Sequence, residues 1–223
     1  QGSPAVEETA YWLNLLIDTT KPICGNAAQR PQGQASNDGP QNIVHSLDFI
    51  RSGIWADEQG RNRAGVVVLQ EQQAFAAREV AKVDARPGGY AATGGHGGIL
   101  GGIAHNGRPI LMYVPAYKHT YLSEVNTSRL DGAVRGVRKG RHGLETFDVA
   151  VKDGNGDILP DAIPAVSIVK DGGYFTDDYG DDASKELDLL YLLDYRLGSG
   201  RLCGFVAEGQ VPYGAMTSAA RKK

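Results

Sequence analysis

Among the side chains that could carry chemistry, Lys82 comes first. In EVAKVD it lies among small and apolar neighbours that could desolvate its amine, as a lysine base near neutral pH requires. The plain alternative is an exposed helix lysine. Ser3, in QGSPAVEET, has no acid or histidine beside it in sequence, and a bare hydroxyl needs a base before it can attack. Lys82 is the candidate base if the fold joins them. His96, in GGHGG, could hold a substrate where glycines let the backbone come close, or could sit in an exposed loop. His45, His105 and His119 read as structural, and Cys24 and Cys203 as buried free thiols.

Other chemistries lack their residues. There is no HExxH or CxxC, and the histidines have no metal-ligand spacing, so no metal is expected. The acidic run DDYGDDASKELD does not align with a calcium-binding loop and reads as a solvated loop and helix cap. No GxGxxG follows a strand and no lysine follows GGHGG, so no nucleotide cofactor is expected. The formal net charge is −3 with both signs mixed, and the basic stretch Arg135 to Arg141 is short and glycine-spaced. Nucleic acid is therefore not an expected partner. No apolar run approaches about 18 residues. A cytoplasmic location is expected, or a periplasmic or secreted one if a leader has been removed.

The elements that must position these residues follow from pattern. A helix is predicted from Val6 to Leu16, with Glu7 and Glu8 in its first turn and Tyr11, Trp12 and Leu15 on its apolar face. PICGN predicts a short strand, the polar segment from Asn26 to Asp38 a loop, and Pro40 to Gly53 a second helix. The β-branched run AGVVVLQ, from Ala64 to Gln70, predicts a strand covered on both faces. Such alternation implies an α/β fold of parallel-sheet layers with helices on both faces, in which the loops from Asn26 to Asp38 and from Glu71 to Lys82 lie beyond strand ends. The segment YAATGGHGGILGGIAHNG predicts a glycine-rich hairpin or loop, and RPILMYVPAYKHT an edge strand interrupted at Pro115. Residues 1–125 would form the larger domain, 126–157 a linker, and 158–223 the start of a smaller α/β domain. In the last, AIPAVSIV and LCGFVAEG would be strands flanking a helix that carries Leu187, Leu190, Tyr191 and Tyr195.

Several motifs in one order resemble the bacterial L-asparaginase and glutaminase family. Glu7 to Tyr11 match its EETAY, Lys21 and Pro22 its KP, Arg30 and Pro31 its RP, and Ser36 with Asp38 to Pro40 its S-DGP. EVAKVD stands where the family has a V-TK-T element, HNGRP matches HNGK, PAYKHT matches PARKHT, and GFVAEGQVPYG is similar to GIVxxGxGNG. The resemblance implies amide hydrolysis in a two-domain, asparaginase-like assembly built from dimers. It implies catalytic roles for Ser3, in the place of a threonine, and Lys82, and substrate contacts from Gln1, Gly2, Pro4, Ala28, Asn37 and Asp38. An oxyanion would be held by backbone N–H groups near Asn37.

Two positions depart from that pattern. The family's aspartate beside the catalytic threonine falls on Pro4, and the threonine before the lysine falls on Ala81. Proline can neither orient a lysine nor receive a substrate's α-ammonium group. This suggests an amidase for simple, cyclic or aromatic amides without that group, or a chain with lost or altered activity. Two alternatives stand beside it: an L-asparaginase or glutaminase, and a non-catalytic subunit of an asparaginase-like hetero-oligomer. A small-molecule binding module would require an apolar pocket without a placed base. Because the family's first nucleophilic threonine lies upstream of the aligned residues, a second chain supplying the first strands and that threonine is expected as partner.

Overall fold

The computed structural model describes residues 1–93, 97–162, 166–170 and 204–208. The chain divides into two compact units, Gln1–Asp131 and Gly132–Lys223. The first begins with helix α1 (Val6–Leu16), strand β1 (Ile23–Gly25), helix α2 (Gly39–Ser52) and strand β2 (Val66–Gln70). Five further strands follow: β3 (Gln73–Ala76), β4 (Val80–Lys82), β5 (Tyr90–Ala92), β6 (Ile99–Ile103) and β7 (Pro109–Leu111).

Helix α1 has the predicted limits, and α2 runs one residue ahead of its predicted limits at each end. Pro40 lies in the first turn of α2, where its missing N–H costs nothing, and Gly53 closes the helix at φ 68°. Strand β2 is buried along its whole length, and its alternation divides the core. Val66 and Val68 join Val6 and Ala10 of α1, together with Phe75, Val80 and Tyr90. Val67 and Leu69 join Phe49 of α2, with Ala74, Ala76 and Leu100. Helices therefore cover both faces of the strand. Cys24 is half-buried at the edge of the second cluster, and burial pushes its thiol up to about 12, which keeps it an inert thiol. His45 is buried within α2 and bonds Gln41, consistent with a structural role.

Three expectations are corrected. The sheet is mixed instead of parallel: its order is β1-β2-β3-β6-β7, and only β1 and β2 run parallel. The reason is the connection after β2, where Glu71 and Gln72 form a two-residue turn with φ of 48° and 69°, so the chain must reverse. The stretch from Glu71 to Lys82 is thus two strands and not a loop, and Lys82 ends a strand instead of lying on a helix. On α1 the buried residues are Val6, Ala10 and Asn14, while Trp12 is 55% exposed and Tyr11 lies outside as well. The sheet selects this face: Asn14 Oδ1 accepts the Val66 N–H at 2.9 Å, a bond that hydrophobic periodicity does not register.

The later part of the glycine-rich segment forms β6, which pairs antiparallel with β7 through a turn from Ala104 to Gly107. A Cβ on Gly101 would lie 2.0 Å from the Ile110 carbonyl oxygen, so only glycine permits that approach. Strand β7 is the sheet edge and stops at Leu111, before Pro115.

In the second unit, β8 (Ala133–Gly140) and β9 (Gly143–Ala150) pair antiparallel, so the expected linker contains a regular hairpin. Strands β10 (Val166–Lys170) and β11 (Gly204–Glu208) pair parallel, as a crossover unit would. The helix predicted between them, His96 and Cys203 lie outside the described residues.

The turn after β2 supplies a test. Glu71 and Gln72 occupy left-handed conformations that glycine and asparagine adopt with less strain. Gln72→Gly is expected to stabilise the fold by about 1 kcal/mol, read as a raised midpoint in urea. A lowered midpoint would contradict the turn assignment.

Candidate functional site

Ser3 sits in the turn that feeds α1. The Ala5 N–H donates to the Gly2 carbonyl at 3.1 Å, which puts Ser3 and Pro4 at the corner, and the N-terminal amine reaches the Asn26 carbonyl beyond β1 at 3.4 Å. Lys82 arrives from the other side. It ends β4 and lies opposite Tyr90 of β5 in an antiparallel pair. Its Nζ donates to Ser3 Oγ at 2.6 Å, across 79 residues of sequence. The two candidates are thereby brought together, and both are half-buried.

Two further residues complete the contact. The Lys82 amide N–H donates to the Glu7 carboxylate from the first turn of α1, and the Tyr90 hydroxyl donates to the Ser3 carbonyl at 2.8 Å. Tyr90 is 7% exposed. Burial, with the charges of Glu7 and Asp38, pushes its phenol up to about 12, so it remains a donor at ordinary pH. Sequence reasoning missed both roles. The turn residues Pro87 to Gly89, placed shortly after Lys82, are a hairpin signal that would have set Tyr90 opposite the lysine.

The loop from Asn26 to Asp38 is organised by Asp38. Its buried carboxylate accepts the N–H groups of Gln29 and Arg30, the Gln70 amide at 2.7 Å and the Asn42 amide at 3.2 Å. Burial raises its pKa, but the Arg30 and Gln29 N–H groups, with help from Gln70, outweigh it and hold the carboxyl below its ordinary value. Gln29 carries this order onward. Its amide donates to the Asp84 carbonyl at 3.0 Å and accepts the Gly89 N–H at 3.2 Å, which ties the loop to the β4–β5 turn.

The remaining predicted residues are placed less closely. Gln1, Gly2, Pro4 and Ala28 are exposed around the Ser3 turn and the Asn26 to Asp38 loop. Asn37 and Asp38 line a cavity of about 480 Å³ with Arg30, Gln41, His45 and Glu71. Two of the backbone N–H groups near Asn37 are already engaged. The Asn37 N–H already donates to the Gln34 carbonyl and the Gly39 N–H to Asn37 Oδ1, so neither is free for a substrate. Among the described residues no cluster of three or more histidine, cysteine or carboxylate side chains could hold a metal, and no helix is long and apolar enough to cross a membrane.

Comparison with known proteins follows the same residues. A family described as Asparaginase, N-terminal, matches residues 1–90. The Glutaminase-asparaginase of Acinetobacter glutaminasificans is 31% identical over 166 residues, which are 74% of this chain and 44% of that protein. L-asparaginase 2 of Escherichia coli is 31% identical over 130 residues, 58% of this chain and 35% of that protein. The chain thus spans less than half the length of either relative. A solved structure, the probable cytoplasmic L-asparaginase from Campylobacter jejuni, superposes with a TM-score of 0.65 at 21% identity, covering 100% of this chain and 57% of that one. The α/β fold, with its mixed sheet and flanking helices, is asparaginase-like.

Asp38 supplies a test by pH. A folded carboxyl held below its unfolded value of about 3.9 contributes stability above that pH and loses it as pH falls through the folded value. Asp38→Asn is expected to cost about 2–4 kcal/mol near neutrality, because it replaces an acceptor by an amide facing other donors. The gap between the two proteins should then narrow below about pH 4 in urea titrations. A gap that stays constant down to about pH 2 would remove Asp38 from this role.

Proposed function

The chain is matched at family level to the bacterial glutaminase-asparaginases over part of their length, and on that premise we propose that it serves amide hydrolysis of the asparaginase and glutaminase type. The carrying observation is the 2.6 Å contact between Lys82 Nζ and Ser3 Oγ. In this reading Lys82 Nζ takes the proton of the Ser3 hydroxyl, and Oγ attacks the amide carbon. Returning that proton to the leaving nitrogen releases the amine, and water then cleaves the ester by the same base. The fixed Ser3–Lys82 geometry also accommodates a simpler sequence, in which Lys82 activates water and Ser3 orients it.

Pro4 bears on the substrate. It is exposed in the Ser3 turn and carries neither charge nor side-chain acceptor. Glu7, the nearby acid of this site, already accepts the Lys82 amide N–H. We therefore assign the chain amides without an α-ammonium group, whether simple, cyclic or aromatic, in preference to asparagine or glutamine. Pro4 equally favours a second reading, a non-catalytic subunit whose partner holds the working site. Among the described residues β1 stands at the end of the strand order, an edge at which a further strand could pair. Such a partner would add strands beside β1 and a threonine hydroxyl. The smaller second domain is part of the same proposal. For compartment, the relatives' names include both a cytoplasmic and a periplasmic asparaginase, and the proposal extends to either location.

The native particle should be assayed with a neutral amide and with asparagine, alongside Lys82→Met and Ser3→Ala. Lys82→Met is expected to lower kcat/KM for the neutral amide by about 10²–10⁴-fold. Retention of more than about a tenth of the activity would exclude Lys82 as the base. Asparagine turnover equal to that of the neutral amide would remove the role given to Pro4. Native mass spectrometry addresses the partner: full activity in a particle of one chain species would refute the split-site reading.

A further inference from the structure

Tyr90 has a hydroxyl that packing does not explain. Its ring fills the cluster shared with Val6, Phe75 and Val80, and phenylalanine would fill that space equally well. A buried hydroxyl costs free energy unless it is bonded, and the bond it makes here is to the Ser3 carbonyl at 2.8 Å. That carbonyl belongs to the peptide preceding Pro4, at the corner of the turn closed by Ala5 and Gly2. Holding it fixes the orientation of the Ser3 peptide, and with it the direction in which Oγ projects.

Register makes the arrangement specific. Tyr90 is the direct cross-strand partner of Lys82, so the two side chains leave one face of the hairpin side by side. One grips the Ser3 main chain and the other meets its Oγ at 2.6 Å. Glu7 fixes the same hairpin to α1 through the Lys82 amide N–H, so neither strand can slide relative to the serine turn.

We propose that Tyr90 is a positioning residue, whose hydroxyl sets the Ser3 backbone so that Oγ meets the Lys82 amine. This rests on the reading of Ser3 and Lys82 as the reacting pair. The Tyr90 hydroxyl bonds the Ser3 main chain and acts through the serine.

The test uses the full chain as wild type, Tyr90→Phe, Ser3→Ala and the double variant. Acylation of the Lys82 amine by limiting acetic anhydride is followed by peptide mass spectrometry, and kcat and KM for a neutral amide are measured in parallel. Tyr90→Phe keeps the ring, so its thermal midpoint should stay near that of wild type. It is expected to speed Lys82 acylation several-fold, as Ser3→Ala does, with no further gain in the double variant. Its kcat should fall about ten- to a hundredfold with KM little changed. If Ser3→Ala speeds acylation and Tyr90→Phe does not, the positioning role is overturned. A further gain in the double variant would overturn it too, since Tyr90 would then act independently of Ser3. If acylation responds as expected but no protein turns over an amide, Tyr90 keeps its role and the hydrolytic reading fails.

Discussion

The buried carboxylate of Asp38 is the constraint on which the site's order depends. It lies just ahead of α2 and is approached by two backbone N–H groups and by the amides of Asn42 and Gln70. A buried charge with this many donors is stable only while they remain in place, so the carboxylate enforces the path of the Asn26 to Asp38 loop. That loop presents Gln29 to the β4–β5 turn, and the turn fixes the hairpin carrying Lys82 and Tyr90. Residues separated by most of the first unit's sequence are thereby held in one arrangement.

The contact between Ser3 and Lys82 stands at the end of this chain of bonds. A lysine side chain has many rotamers, and a serine in an exposed turn has little to hold it. Their meeting depends on the supports: Glu7 on the lysine backbone, Tyr90 on the serine backbone and Asp38 behind the loop that touches the hairpin. Pro4 removes the acid that the resemblance would place beside the serine. Glu7 does not replace it in kind, since it accepts from a backbone N–H. Ser3 and Lys82 bring a hydroxyl and an amine into contact, while the carboxylate beside them, Glu7, is bonded to a backbone N–H.

Much of the first unit's organisation was legible because its signals are local. The limits of α2 follow from Pro40 and Gly53, and the burial of β2 on both faces from its unbroken β-branched run. The direction of β3 was not legible, because Glu71-Gln72 does not look like a hairpin turn. Such turns favour asparagine and glycine, and here two long polar side chains occupy left-handed conformations instead. The face of α1 was misread for a related reason. Trp12 is the larger hydrophobe, yet the small residue Ala10 and the polar Asn14 face the sheet, where close approach and a backbone donor favour them. The hairpin in 133–150 was hidden by its composition, since glycines and charges can pair by backbone bonds alone.

The sequence by itself determined the inventory: two bounded helices, a doubly covered strand, a hydroxyl ahead of α1, a lysine after an apolar run, a proline where an acid was expected, and motifs shared with amide hydrolases. These are properties of short segments, set by propensity, capping and periodicity, and they need no knowledge of distant partners. Only the tertiary structure decided that Ser3 and Lys82 touch, that Tyr90 stands opposite the lysine and that Asp38 serves the loop. Each of those facts joins residues far apart in the chain. Their proximity is set by the reversal after β2, the register of β4 with β5 and the burial of one carboxylate, and none of these is written in the residues beside the site.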